Sequence, residues 1–278
     1  MNTAKTHLTD QNFDSQHSGK CDLLIRIYPK RLSYAIINQT NDQLKVIFDS
    51  QGAGGLKILK DLIAHDPVLK LSYHQVKICV QTSKFTFIPK EIYSDSDLDS
   101  YALFAYPALE SDILVKEISS VKIKNITAID KSLRKYLISN FNDPLIFNQV
   151  NPLIESSLKL YHNTINTTLI LQFNTDSFEA LVLKNNNLAY YNLFNTESVN
   201  EFNYFLLGIM RELQLKSTGT DVVISGETSE SEDLYKCVQK YFSNIAFADC
   251  GILTRQATIF RGIPAHQFFS LISMNLCE

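Results

Sequence analysis

The chain has 278 residues, 45% of them hydrophobic and 20% charged, enough for one large folded domain or two medium ones. Abundant Leu, Ile, Phe and Tyr exclude disorder as its main state, and a formal net charge of −3 argues against a nucleic-acid partner, which calls for a basic face. Gly is scarce, at 9 residues, which weighs against several Gly-rich loops wrapped around phosphates.

Residues 1–20 are polar, with Lys5, His7, Asp10, Asp14 and His17 scattered among them. They lack the apolar stretch of a secretory leader and read as a frayed tail. Residues 22–38 hold two apolar runs, Leu23–Ile25 and Ala35–Ile37, on either side of a polar turn, the pattern of a β-hairpin. A third strand, Leu44–Asp49, leads to Gly52-Ala-Gly-Gly55 and a short helix carrying Leu56, Leu59, Leu62 and Ile63. Val76–Gln81 reads as a fourth strand.

The stretch 85–165 is more irregular. Phe85–Pro89 reads as a strand stopped by proline, and Asp95, Asp97 and Asp99 open a helix running through Leu103, favoured by the helix dipole. Ile113–Ile118 and Val121–Ile126 form a predicted hairpin, followed by helices over 128–141 and 152–162.

The first pattern then returns about 146 positions later. Leu169–Leu171 aligns with Leu23–Ile25 and Leu181–Leu183 with Ala35–Ile37; Arg26 aligns with Gln172, Tyr28 with Asn174 and Lys30 with Asp176. A third strand, Leu188–Phe194, precedes a long helix with Phe202, Phe205, Leu206, Ile209 and Leu213 at helical spacing, opened by a Ser198/Glu201 capping box. Val222–Ser225 is the fourth strand. Ser229 and Glu232 predict a cap for another helix, carrying Leu234, Val238, Tyr241 and Phe242, before a short strand Ile245–Ala248. For Pro264–Leu276, helix with Pro264 at its first position is preferred and strand stays open. The fold class is therefore α/β, built on a β-β-β-α-β unit present twice. The expected organisation is a tail over 1–20, a first half over 21–164 with inserted strands and helices, and a second half over 165–278.

Two tandem β-β-β-α-β-α units, ribonuclease H-like, resemble the actin-like ATPase superfamily of actin, Hsp70-type chaperones and sugar kinases. Phe85–Pro89, Asn192-Leu-Phe-Asn195 and Val222-Val-Ile-Ser-Gly-Glu227 further resemble a bacterial domain-of-unknown-function family with a degenerate form of that fold. The resemblance implies a bilobed architecture with ATP and Mg²⁺ in a cleft between the halves. In active members the first hairpin turn of each half resembles an Asp-x-Gly loop. Gly admits phosphate to the backbone N–H groups, and Asp organises Mg²⁺ through water. Here Arg26 and Gln172 stand at the Asp positions, Tyr28 and Asn174 at the Gly positions, and Pro29 removes one N–H. Gly226 alone remains, where the resemblance places an adenosine-side turn.

Two functions follow. The first is a non-catalytic scaffold or interaction protein that has lost the phosphate-binding turns, with another protein as partner, no cofactor, no metal and no catalytic residue. The alternative is a divergent nucleotide-binding ATPase or switch holding ATP and Mg²⁺ through Lys30, Thr175, Asp176, Ser225 and Gly226. Gly52–Gly55 sits where a phosphate loop would and lacks the spacing of a dinucleotide fingerprint, so it reads first as a strand–helix turn. His65, His74, His162 and His266 show no metal-ligand spacing, and the Asp95–Asp99 run lacks the remainder of a calcium loop. Tyr190 and Tyr191 beside Phe194 read as half-buried strand residues, with a partner-binding edge as the sharper reading. Five widely spaced cysteines without a C-x-x-C, and no run near ~18 apolar residues, lead us to expect a cytoplasmic chain with no membrane insertion.

Overall fold

A computed structural model describes residues 5–52, 54–105, 111–161, 164–254, 257–260 and 262–277. In chain order the first part carries strands β1 (Lys5–Thr9), β2 (Cys21–Ile27), β3 (Arg31–Asn38) and β4 (Gln43–Gln51), helix α1 (Gly55–His65) and strands β5 (Gln75–Val80) and β6 (Phe85–Pro89). It continues through α2 (Leu98–Ala105), β7 (Ser111–Ile118), β8 (Ile123–Asp130), α3 (Lys131–Asn140), β9 (Leu145–Asn148) and α4 (Val150–Tyr161). The second part carries β10 (Thr167–Asn174), β11 (Ser177–Lys184), β12 (Asn187–Asn195), α5 (Val199–Leu213), β13 (Thr220–Gly226), α6 (Asp233–Gln239), β14 (Asn244–Phe247) and, after short 3-10 turns, α7 (Phe269–Ile272).

The duplication is present in the sheets. One is ordered β1-β4-β3-β2-β5-β9, the other β12-β11-β10-β13-β14. Strand β4 thus occupies the place of β12, and β9 that of β14. Leu23 pairs with Val76 and Leu169 with Val222, in parallel. Both third strands carry a bulge at the same place. The register slips between Ile36 and Ile37 around Lys45, and between Val182 and Leu183 around Ala189. A bulge costs ladder hydrogen bonds and is kept as a structural feature, so its recurrence marks one unit repeated rather than two chance alignments.

Each sheet buries one face beneath its own helix. Leu23, Ile25, Tyr34, Ile36, Phe48 and Ile78 pack with Leu59 of α1. Leu169, Leu171, Phe178, Val182 and Ile224 pack with Phe202, Leu206 and Ile209 of α5. These clusters hold the two hairpin turns in place. A third, smaller sheet, β6-β8-β7, forms the insertion.

Several elements depart from expectation. The stretch read as a frayed tail is structured from Lys5 onward: β1 pairs antiparallel with β4, and the Asp10 amide donates to the Lys45 carbonyl at 2.8 Å. The Asp14 carboxylate caps a 3-10 turn over Ser15–Lys20 by accepting from the Gln16 amide, which holds its pKa below the usual carboxylate range. Strand β9, unforeseen, completes the first sheet. Helix α3 starts at Lys131, because β8 runs through Asp130, whose carboxylate then accepts from the Leu133 amide at 2.8 Å. The box at Ser229 and Glu232 is not made: α6 begins at Asp233 with Glu232 at its N-cap and no side-chain cap. Pro264 precedes its 3-10 turn rather than opening a continuous helix, and His162 lies outside the described residues.

The chain divides into two compact units. The first comprises Met1–Leu153, Leu253–Arg261 and Leu271–Glu278; the second, Ile154–Ile252 and Gly262–Ser270. The last residues therefore belong with the first unit rather than with the half expected over 165–278. Gln39 Nε2 donates to Asn275 Oδ1 at 2.8 Å, and the Lys77 ammonium to the Asn275 carbonyl at 3.2 Å.

Candidate functional site

The two hairpin turns are where the resemblance leads one to expect phosphate contacts, and each is built within its own unit. The first is closed by the Tyr28 amide donating to the Arg31 carbonyl at 2.9 Å. Tyr28 is only 8% exposed, and the Arg26 guanidinium lies over its ring, 4.4 Å from the centroid. That stacking exploits the negative face of the ring and the weak hydration of guanidinium. Arg31, also buried, donates through Nε to Asp49 Oδ1 at 2.5 Å, and the Ser33 hydroxyl donates to the same oxygen at 2.8 Å. Side chains of β2, β3 and β4 thus fill the turn from beneath.

The Gly52–Gly55 segment is committed to the same turn. The Gly52 amide donates to the Lys30 carbonyl at 2.9 Å, and a Cβ on Gly55 would overlap the Tyr28 carbonyl oxygen and lie 2.7 Å from that of Arg31. Gly54 sits at φ +144°, a backbone conformation open to glycine. Gly55 thus lets helix α1 approach the hairpin closely.

The second turn is filled differently. The Ser225 hydroxyl donates to Gln172 Oε1 at 2.8 Å, while Gln172 Nε2 donates to the Phe173 carbonyl at 3.1 Å. Asn174 Nδ2 lies 3.4 Å from both Ser177 Oγ and Glu179 Oε1. Glu179 is fully buried, and the Tyr191 hydroxyl donates to its Oε2 at 2.7 Å. Gly226 has φ +84°, and a Cβ there would overlap the Phe173 carbonyl and Gln172 Nε2.

Four of the five candidate contacts, Thr175, Asp176, Ser225 and Gly226, belong to the second unit. Lys30 is exposed on the first. Ser225 and Gly226 are turned into the packing just described. Thr175 is exposed and its hydroxyl lies 3.2 Å from both carboxylate oxygens of Glu227. Asp176 is exposed, and its carbonyl accepts from the Thr196 amide at 3.0 Å.

Sequence reading missed Asp49, Glu179 and Glu227. For Glu179 the available signal was a single acid inside the apolar run Phe178–Leu183, a position that needs a polar partner when buried. Elsewhere, the Tyr93 hydroxyl donates to Asp95 at 2.8 Å ahead of α2. His266 is buried and donates from Nε2 to the Thr228 carbonyl at 2.8 Å, and burial lowers its pKa.

Residues 10–245 match the family described as Protein of unknown function (DUF3822). The chain belongs to the DUF3822 family. A similar solved structure is a Bacteroides thetaiotaomicron protein with actin-like ATPase fold and unknown function: TM-score 0.79, 18% identity, covering 96% of this chain and 99% of that one. The PilM-PilN type IV pilus biogenesis complex follows at TM-score 0.61 and 11% identity, covering 92% and 97%. The ethanolamine utilization protein EutJ from Carboxydothermus hydrogenoformans matches at TM-score 0.50 and 7% identity, covering 92% and 90%. No curated protein matches the chain. This DUF3822 chain therefore has the actin-like ATPase fold, and at these identities the solved structures speak to fold alone.

Proposed function

We propose that this chain is a non-catalytic actin-like scaffold, a cytoplasmic interaction protein in which the two phosphate-binding turns have become packing. The observation that carries this reading is Tyr28, buried under the Arg26 guanidinium at the position where the resemblance expects glycine. A phosphate approaching that backbone meets a ring instead of N–H groups. In the second turn, Gln172 stands where an acid would organise Mg²⁺, and its side chain is bonded to Ser225 and Phe173. The fold itself occurs in a protein complex, PilM-PilN, which is a precedent for an assembly role. No helix among the described residues is long and apolar enough to cross a membrane, and all five cysteines are free thiols, in keeping with a reducing compartment.

The test is a steady-state phosphate-release assay with Mg-ATP on the purified chain and its Asp176→Ala variant. The reading expects no Mg²⁺-dependent turnover in either. Turnover in the parent that Asp176→Ala abolishes would establish the divergent ATPase instead, with Lys30, Thr175, Asp176, Ser225 and Gly226 as its contacts.

A further inference from the structure

The duplication exposes a difference between the two sheets. In the first unit the outer edge of β4 is covered by β1, antiparallel, with His7 opposite Phe48. The His7 ring lies 5.7 Å from that of Phe48, which stacks on Tyr34 at 4.9 Å. In the second unit β12 ends the sheet, and among the described residues no strand pairs with its outer edge. The pair corresponding to Tyr34 and Phe48 is Ala180 and Asn192. Where the first unit has stacked rings capped by a strand, the second has a groove of about 650 Å³ between β12 and α5.

Three features of this edge go together. Strand β12, Asn187-Leu-Ala-Tyr-Tyr-Asn-Leu-Phe-Asn195, contains no charged residue and no proline, and of the usual guards of an exposed edge it carries the bulge at Ala189. The Leu193 amide donates to the neighbouring Asn192 Oδ1 at 2.9 Å, so this N–H faces away from β11 and outward. On α5, Tyr204 is 74% exposed and Leu207 42%, and nothing lies within 4 Å of a Cβ built on Gly208. A glycine in a helix interior is unfavourable against alanine. Packing within the chain gives no reason for it, whereas close approach of a second backbone does.

We propose that this edge is a homodimer interface, with β12 pairing antiparallel with β12 of a second copy so that the two five-stranded sheets become one. A two-fold axis makes self-pairing antiparallel, the direction in which β1 covers β4. From its bulge toward the C-terminus, self-pairing about Tyr191 sets Tyr190 opposite Asn192 and Ala189 opposite Leu193, neutral residues in each case. With no charge on the strand, pairing it with itself places no like charges in opposition. The same operation brings α5 of the second copy to the groove, where Tyr204 and Leu207 cover the flat surface at Gly208. The inference is independent of whether a nucleotide binds.

Sedimentation velocity on the full chain tests it, over roughly two decades of concentration around micromolar. The expected result is a reversible dimer. Leu193→Pro removes an outward donor while sparing the β11 ladder, and is expected to weaken association by about tenfold or more, the scale of lost backbone hydrogen bonds. Tyr204→Lys, on the exposed helix flank, is expected to do the same with an unchanged circular-dichroism spectrum, and decides the matter if the proline variant does not fold. A chain that stays monomeric throughout, or a dimer that Tyr204→Lys leaves intact, would overturn the proposal. So would a monomer that binds an extended peptide of another protein along β12.

Discussion

Gly55 lies so close to Tyr28 that a single methyl group on it would overlap the Tyr28 carbonyl oxygen. Gly55 is therefore required by the contact between α1 and the first hairpin. Gly55→Ala is expected to destabilise the chain by about 1–3 kcal/mol, as overpacking does, read as a lower urea midpoint. Gly19, with nothing within 4 Å of its would-be Cβ, is the control, and Gly19→Ala should stay within about 0.5 kcal/mol.

A buried carboxylate anchors the second unit. The Tyr191 hydroxyl donates to Glu179 inside the sheet, and Tyr191→Phe removes that donor while keeping the ring. An expected loss of about 1–3 kcal/mol follows, since a buried carboxylate deprived of a donor bears part of its desolvation cost. Equilibrium denaturation of the variant checks it; a change within experimental error would mean that Glu179 is adequately held by its other neighbours.

How much of this could be read from the sequence depends on where the partners lie. The hairpins declare themselves, because Leu23–Ile25 and Leu169–Leu171 are apolar runs broken by polar turns, and α5 declares itself through Ser198 and Glu201. Ser198 indeed accepts from the Glu201 amide at 3.3 Å, while Glu201 accepts from Glu197, one residue further back than the box requires. Strand β1 was invisible because Lys-Thr-His-Leu-Thr has one aliphatic residue and gains its order from pairing with β4, from Lys5 opposite Ser50 to Thr9 opposite Val46. Strand β9 is four residues long, too short for periodicity to speak. At the turns, Arg26, Tyr28, Gln172 and Asn174 were legible as the residues present. What fills the space was not: Asp49 meets Arg31, and Glu179 meets Tyr191, only through strand register.

His266 gives the chain a defined pH response. It is buried with its ring stacked on Phe247 at 4.0 Å, and burial lowers its pKa from the ordinary 6.5, outweighing the Thr228 carbonyl and Glu232, which act the other way. Between the lowered value and 6.5 the unfolded chain binds more protons than the folded one, so stability rises with pH there. The group costs nothing above 6.5, and stability is lost as pH falls toward the folded value. Melting temperatures measured from pH 7.5 to 5.5 are expected to fall, and to fall less in His266→Phe, which keeps the stacking and cannot be protonated. Equal slopes would place the response elsewhere.

In the proposed scaffold, Arg26 over Tyr28 and Gln172 bonded to Ser225 stand where phosphate would otherwise bind. The most direct measurement is thermal denaturation with saturating Mg-ATP, Mg-ADP and Mg-GTP. No shift is predicted with any of them. A stabilisation of ~2.7 kcal/mol at a hundredfold excess over Kd, lost on Thr175→Ala or Asp176→Ala, would contradict the account.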